Sequence, residues 1–140
     1  IGVDAEVVPL GLLPDGTMDS PKGPDPVGWY TFTGKPGTGG NGVFSGHLDY
    51  VGRGPAVFWD LRKLTEGDLI EVGLSDGSVI RYEVTASQVY PVATIPMGEV
   101  LAPTAKESIT LITCAGTFAN GDYSHRLVVR AVKTGIGGGG

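Results

Sequence analysis

Apolar and polar residues alternate over short distances in this chain. In Ser78–Val84, Tyr82 and Val84 alternate with Arg81 and Glu83, the period of two that marks a strand with one buried face. The β-prone run Asp68–Leu74 precedes it, and Ser75-Asp76-Gly77 lies between. Asp-Gly tolerates the positive φ of a tight turn, so the two runs predict a hairpin. Four more short runs read as strands: Val27–Thr33, Gly42–Ser45, Ile109–Thr113 and Arg126–Val132. Leu12-Leu13-Pro14-Asp15-Gly16 predicts a turn near the N-terminus. Helix is signalled weakly and twice. Pro55–Leu61 carries proline where a first helical turn accepts it, and Pro96–Ala102 allows one turn that must stop before Pro103.

Composition points the same way. The 140 residues include 24 Gly and 10 Pro, so few stretches can hold a helix of about ten residues. Many short strands with one or two helical turns predict an all-β chain folded as a closed or nearly closed β-barrel. The length fits one domain, assigned to residues 1–134, with 135–140 a flexible glycine-rich tail outside the fold. The loop Gly34–Gly42 is rich in glycine but lacks the Lys-Ser/Thr ending of a phosphate cradle, and it reads as a turn between strands. Ten Lys and Arg against fifteen Asp and Glu give a net charge of −5, which argues against a nucleic-acid partner. A single cysteine excludes an intramolecular disulfide and is too few for a structural zinc site. The sequence holds no apolar run of about 18 residues and no visible signal peptide.

Few residues can do chemistry. A lone cysteine is usually a small buried hydrophobe, but Cys114 ends the run Ile109–Thr113 and is followed by Ala115-Gly116, where a strand is expected to leave the sheet. A nucleophile there would have a fixed backbone and an open face. Acyl attack by a thiolate needs a proton-handling group and a donor for the oxyanion. His47 follows Val43–Gly46 at another strand end, whereas His125, in the polar stretch Asn120–His125, reads as a hydrogen-bonded loop histidine. Arg126 opens the last strand, and its guanidinium offers five donors and a permanent charge to a developing oxyanion. Arg130, four residues on and on the same strand face, competes for that role.

At this point the chain resembles the sortases. Thr110-Leu111-Ile112-Thr113-Cys114 matches their TLxTC motif, Gly46-His47 their histidine strand end, and Arg126–Ala131 their arginine-bearing final strand. The order His, Cys, Arg with gaps of 67 and 12 residues is also sortase-like. Gly46–Tyr50, continued by Gly54–Phe58, is most similar to the class E and F enzymes, class F above all. The resemblance implies an eight-stranded sortase-type β-barrel and a cysteine transpeptidase. Such enzymes cut an LPXTG-type sorting signal between Thr and Gly and pass the acyl group to an amine, a cell-wall precursor or an oligoglycine-like acceptor. It implies Cys114 as nucleophile, His47 as general acid and base, and Arg126 as oxyanion and substrate clamp. Thr113 and Ile112 would lie along the groove floor, Val100 and Leu101 would cover the signal's Leu and Pro, and Ser45 is a weaker groove candidate. No metal and no cofactor are implied. The chain is expected to act as a monomer at the extracellular face of the cytoplasmic membrane, on an N-terminal anchor absent from this sequence.

Ordinary protonation equilibria set an expectation for this chemistry. At pH 7 an unperturbed thiol is about 3% ionised and an unperturbed imidazole about one-quarter protonated. Without strong coupling, thiolate and imidazolium coexist in under about 1% of molecules, and slow turnover follows. The L,D-type cysteine transpeptidases are disfavoured because their Ser-His-Gly-Cys arrangement is absent. The contrasting class is a secreted β-barrel binding module with a buried thiol.

Overall fold

The computed structural model describes residues 2–137. In chain order the elements are β1 (Val7–Leu10), β2 (Val27–Tyr30), β3 (Asn41–Ser45), β4 (Asp49–Tyr50), β5 (Gly54–Pro55), a 3₁₀ turn at Leu61–Lys63, β6 (Leu69–Gly73), β7 (Val79–Pro91), α1 (Met97–Leu101), β8 (Ser108–Ala119) and β9 (Asp122–Gly137). Seven strands form one curled half-barrel sheet in the order β1-β2-β3-β8-β9-β7-β6. β4 and β5 form a separate two-stranded ribbon. The barrel expectation is thus met by seven strands plus a ribbon. β1 pairs with β2 and β3 with β8 in parallel, and the remaining pairs of the sheet are antiparallel.

Both faces of the central strands β3, β8 and β9 are buried, and alternation decides which residue goes where. Phe44, Leu111, Leu127 and Val129 face one cluster, closed by Ile80, Tyr82 and Val84 of β7 and by Phe58, Leu61 and Leu64 around the 3₁₀ turn. Val43, Ile112 and Val128, one position out of phase, face a second cluster with Leu10, Tyr30 and Val100 of α1. The glycine-rich loop is a turn between β2 and β3. It is held by Glu107, whose carboxylate accepts from the backbone N–H of Gly37 and Gly39 and from the Tyr82 hydroxyl.

Several boundaries depart from the sequence pattern. β1, β4 and β5 are too short to show alternation. Gly54 and Pro55 pair with Tyr50 and Asp49 in the ribbon, so the expected helix at Pro55–Leu61 shrinks to the 3₁₀ turn at Leu61–Lys63. The second expected helical turn is α1, which stops before Pro103. The larger difference lies around Cys114. β8 continues to Ala119 and β9 begins at Asp122, so the two strands make one long hairpin rather than leaving the sheet at Ala115-Gly116. A register shift between Ala115 and Phe118 absorbs the change of direction. Gly116 makes it possible: its φ is +81°, and a Cβ there would lie 2.3 Å from Ser124 Oγ. Residues 135–137, the first part of the glycine-rich tail, continue β9 alongside β7; residues 138–140 lie outside the described residues.

Gly46 is needed for closeness rather than for an unusual φ. A Cβ on it would stand 2.7 Å from Phe58 and 2.8 Å from Val57, within the first core cluster. Gly46→Ala therefore has to displace Phe58, an overpacking cost of about 1–3 kcal/mol. It is expected to lower the thermal midpoint, and an unchanged midpoint would show that the core yields there freely.

Candidate active site

The strand pairing brings the sequence-predicted groups together. Cys114 on β8 lies directly opposite Arg126 on β9, and Ile112 lies opposite Val128 two residues away. Ser45 at the end of β3 is in register with Ile112. By alternation Cys114, Ile112, Arg126 and Ser45 share one face of the sheet, the face whose far end is covered by α1. His47 follows β3, and its position is fixed from below by the chain just before it. The Gly46 N–H donates to the Ile112 carbonyl at 3.2 Å, and the Thr113 hydroxyl donates to the Gly46 carbonyl at 2.7 Å. The residues preceding His47 and Cys114 are thereby tied to each other.

The open part of this face is a groove of about 1130 Å³, and Cys114, His47 and Arg126 all line it. Met18, Tyr30, Ile95, Met97 and Ile112 give it an apolar section. Around the three polar groups stand Asp49, Tyr50, Asp122 and Tyr123. Cys114 is half-buried and faces this groove rather than either core cluster, which argues against an inert structural thiol. Burial pushes its thiol up; Arg126 pulls it down, while the carboxylates of Asp122 and Asp49 add to the upward push. The thiol is therefore largely neutral at physiological pH.

His47 is oriented by a hydrogen bond of 2.7 Å between its Nε2 and the Pro21 carbonyl. A carbonyl can only accept, so Nε2 carries a proton and Nδ1 is the nitrogen free to exchange one. The ring also packs edge-on against Tyr50, with centroids 5.3 Å apart. Arg126 is held by the carbonyls of His125 and Tyr123, at 3.0 and 3.3 Å from Nη1, and by both carboxylate oxygens of Asp122, at 3.1 and 3.2 Å from Nη2. Nε–H makes no hydrogen bond among the described residues and remains available to an oxyanion.

The other expected residues separate. The Ser45 hydroxyl lines the groove and lies 2.9 Å from the Tyr30 hydroxyl, which itself donates to the Asp19 carbonyl. Thr113 borders the groove but is only 3% exposed, its hydroxyl spent on Gly46; it builds the floor from below. Val100 does not cover the groove: at 1% exposure it is a core residue of the second cluster, and Leu101 packs against the same cluster. Met97, one turn earlier on the same face of α1 and packed against the same cluster, lines the groove in their place. Arg130 is withdrawn from competition: its Nη2 donates to the Glu99 carbonyl of α1 at 3.1 Å. His125 lies outside the groove, hydrogen-bonded through Nδ1 to Ser124 Oγ. Sequence reading missed Tyr30, Met18, Met97, Asp49, Asp122 and Tyr123. Only the last three sat in stretches already singled out for chemistry, beside His47 and before Arg126.

The Sortase domain profile matches residues 1–134. Among solved structures the chain is similar to a lid mutant of sortase A from Corynebacterium diphtheriae, at 32% identity and a TM-score of 0.65, covering 79% of this chain and 56% of that one. It is similar to sortase C-1 from Actinomyces oris, at 29% identity and a TM-score of 0.64, covering 79% and 60%. It is also similar to a Clostridium perfringens sortase D5 transpeptidase, at 26% identity and a TM-score of 0.61, covering 79% and 63%. The chain thus spans less than two-thirds of each of these structures. A comparison with curated protein sequences gave no match. With a family profile running over nearly its whole length and a curled sheet shared with solved members, the chain belongs to the sortase family.

Proposed function

We propose that the chain is the catalytic domain of a cysteine transpeptidase that cleaves an LPXTG-type sorting signal between Thr and Gly and transfers it to an amine. The observation that carries this reading is the convergence of Cys114, His47 and Arg126 on one groove with an apolar section beside them. In the proposed reaction the Cys114 thiolate adds to the Thr carbonyl carbon, and the electron pair moves to the carbonyl oxygen. Arg126 stabilises that oxyanion. The intermediate collapses, the C–N bond breaks, and imidazolium His47 gives its proton to the departing amine. The acyl group then sits on Cys114 as a thioester. An incoming amine adds to it, His47 takes the amine's proton, and collapse breaks the C–S bond to return the thiolate. Met18, Tyr30, Ile95, Met97 and Ile112 offer apolar contact for the signal's Leu and Pro. The acceptor is a cell-wall precursor or oligoglycine-like amine, and the enzyme works at the extracellular face of the cytoplasmic membrane. Within the family we assign the chain to the class E/F group, class F above all, on Gly46–Tyr50 and Gly54–Phe58.

The direct test is incubation with an LPXTG-type peptide and a panel of amines, read by mass spectrometry. The expected product has lost the residues after Thr and gained the amine; no product with any amine, and no hydrolysis, overturns the reading. Burial and two nearby carboxylates hold the thiol up, so Cys114 alkylation is expected to rise with pH through the ordinary thiol range or above it. An inflection near pH 4, as for a full thiolate–imidazolium ion pair, would contradict the weak coupling described here.

A further inference from the structure

The His47 arm and the Cys114–Arg126 arm are joined at two places. The lower tie is the β3–β8 ladder, ending in the Gly46–Ile112 and Thr113–Gly46 hydrogen bonds directly before each reacting residue. The upper one lies beyond them: the Tyr123 hydroxyl donates to Asp49 Oδ2 at 2.5 Å, across 74 residues of sequence. It is the one hydrogen bond among the described residues between the segment 47–56 and the hairpin end 115–125.

We infer that Asp49 and Tyr123 are positioning residues whose hydrogen bond clasps the hairpin end to the histidine loop and so holds His47 in register with Cys114. This rests on the transpeptidase reading above for its kinetic consequence, though not for its structural one. Three features make the clasp more than a surface contact. Both ends are built for it: Asp49 belongs to the β4–β5 ribbon, and Tyr123 packs edge-on against Phe118 with centroids 5.1 Å apart. The hairpin end it holds is detached from the regular ladder by the shift between Ala115 and Phe118, and its turn residues Asn120 and Gly121 both have positive φ. Without the clasp, nothing but the lower tie links the two arms by hydrogen bond. The bond also keeps the phenol protonated, its pKa pushed up to about 12 by the Asp49 carboxylate, so the donor persists across the working pH range.

Two variants that each delete one partner of the bond, Asp49→Leu and Tyr123→Phe, test the clasp. Each is expected to lower acyl transfer about ten- to a hundred-fold, the scale of a small misplacement of reacting groups. The double variant should be no worse than the poorer single one, because both remove the same bond. The pH profile of Cys114 alkylation separates the two. The charges facing the thiol are Arg126, Asp122 and Asp49, with His47 across the groove. Asp49→Leu removes a carboxylate and should move the inflection down; Tyr123→Phe leaves that carboxylate and should not. Hydrogen exchange read by mass spectrometry supplies a measure independent of turnover: in both variants residues 47–51 and 118–123 should exchange faster together. Wild-type transfer rates in either variant, multiplicative losses in the double, or loosening confined to the mutated segment would overturn the clasp. Absence of any thioester in the wild-type protein would instead remove the transpeptidase reading and leave the exchange result to decide the clasp.

Discussion

Cys114→Ala is expected to abolish acyl transfer while leaving a folded protein that still takes up the signal peptide. The loss should be on the order of 10⁴-fold or more, the scale for removing a nucleophile from a set of groups that act as a unit. Arg126 offers no substitute, because a guanidinium is not a nucleophile at any accessible pH. Folding should barely change, because Cys114 is half-buried at the groove and belongs to neither core cluster. Peptide binding and thermal midpoint are therefore internal controls. Retention of more than about one-hundredth of the transfer rate in a well-folded Cys114→Ala protein would exclude the thioester route, since general acid–base catalysis by the remaining groups supplies only about 10²–10⁴-fold. Cys114→Ser is expected to be nearly as inactive. Its hydroxyl ionises far less readily than a thiol.

The three groups were legible in the sequence because each sits at the end of a β-prone run beside a distinctive neighbour, and because Cys114 and Arg126 adjoin runs long enough to read as strands. Their pairing was also within reach: twelve residues suffice for a hairpin return, and the structure places Cys114 directly opposite Arg126. The length of that hairpin was not. Ala115–Gly121 contains two glycines and no alternating apolar set, and its strand character comes from pairing across the turn rather than from its own residues. The assignment of Val100 and Leu101 failed for a related reason. Proximity in sequence to the Cys strand does not say which turn of α1 reaches the groove: Met97, Val100 and Leu101 share one helix face packed on the second cluster, and of the three Met97 lines the groove. Gly46 shows the same limit. Its role is set by Phe58 and Val57, which arrive from a segment that local pattern assigned to a helix. Asp49, Asp122 and Tyr123 carried no sequence signal as site residues, because acids and a tyrosine in a polar loop are ordinarily a solvated surface.

Arg126→Ala should be the second most damaging change, and its pattern should distinguish transition-state stabilisation from simple anchoring. Removing one oxyanion donor from a preorganised site costs about 10²–10³ in kcat, and Arg126 supplies both charge and the free Nε–H. Stability should be nearly untouched. The Arg126–Asp122 pair is formed by a carboxylate side chain that is 59% exposed, and exposed pairs contribute about 0–1 kcal/mol. The same variant also strips the one cation that pulls the Cys114 thiol down, leaving Asp122 and Asp49 facing it, so the alkylation inflection should move to higher pH. Arg126→Lys restores a positive charge without the planar fork. It should bring the thiol inflection partway back yet recover little transfer, because the ammonium cannot keep the Asp122 and backbone contacts and also reach the oxyanion. If lysine instead restores transfer in full, the guanidinium acts through its charge alone, and the geometric role assigned to Nε–H is wrong. If Arg126→Ala leaves kcat intact and raises only KM, Arg126 binds the signal equally in the ground and transition states, and the oxyanion must be stabilised by another donor at the groove.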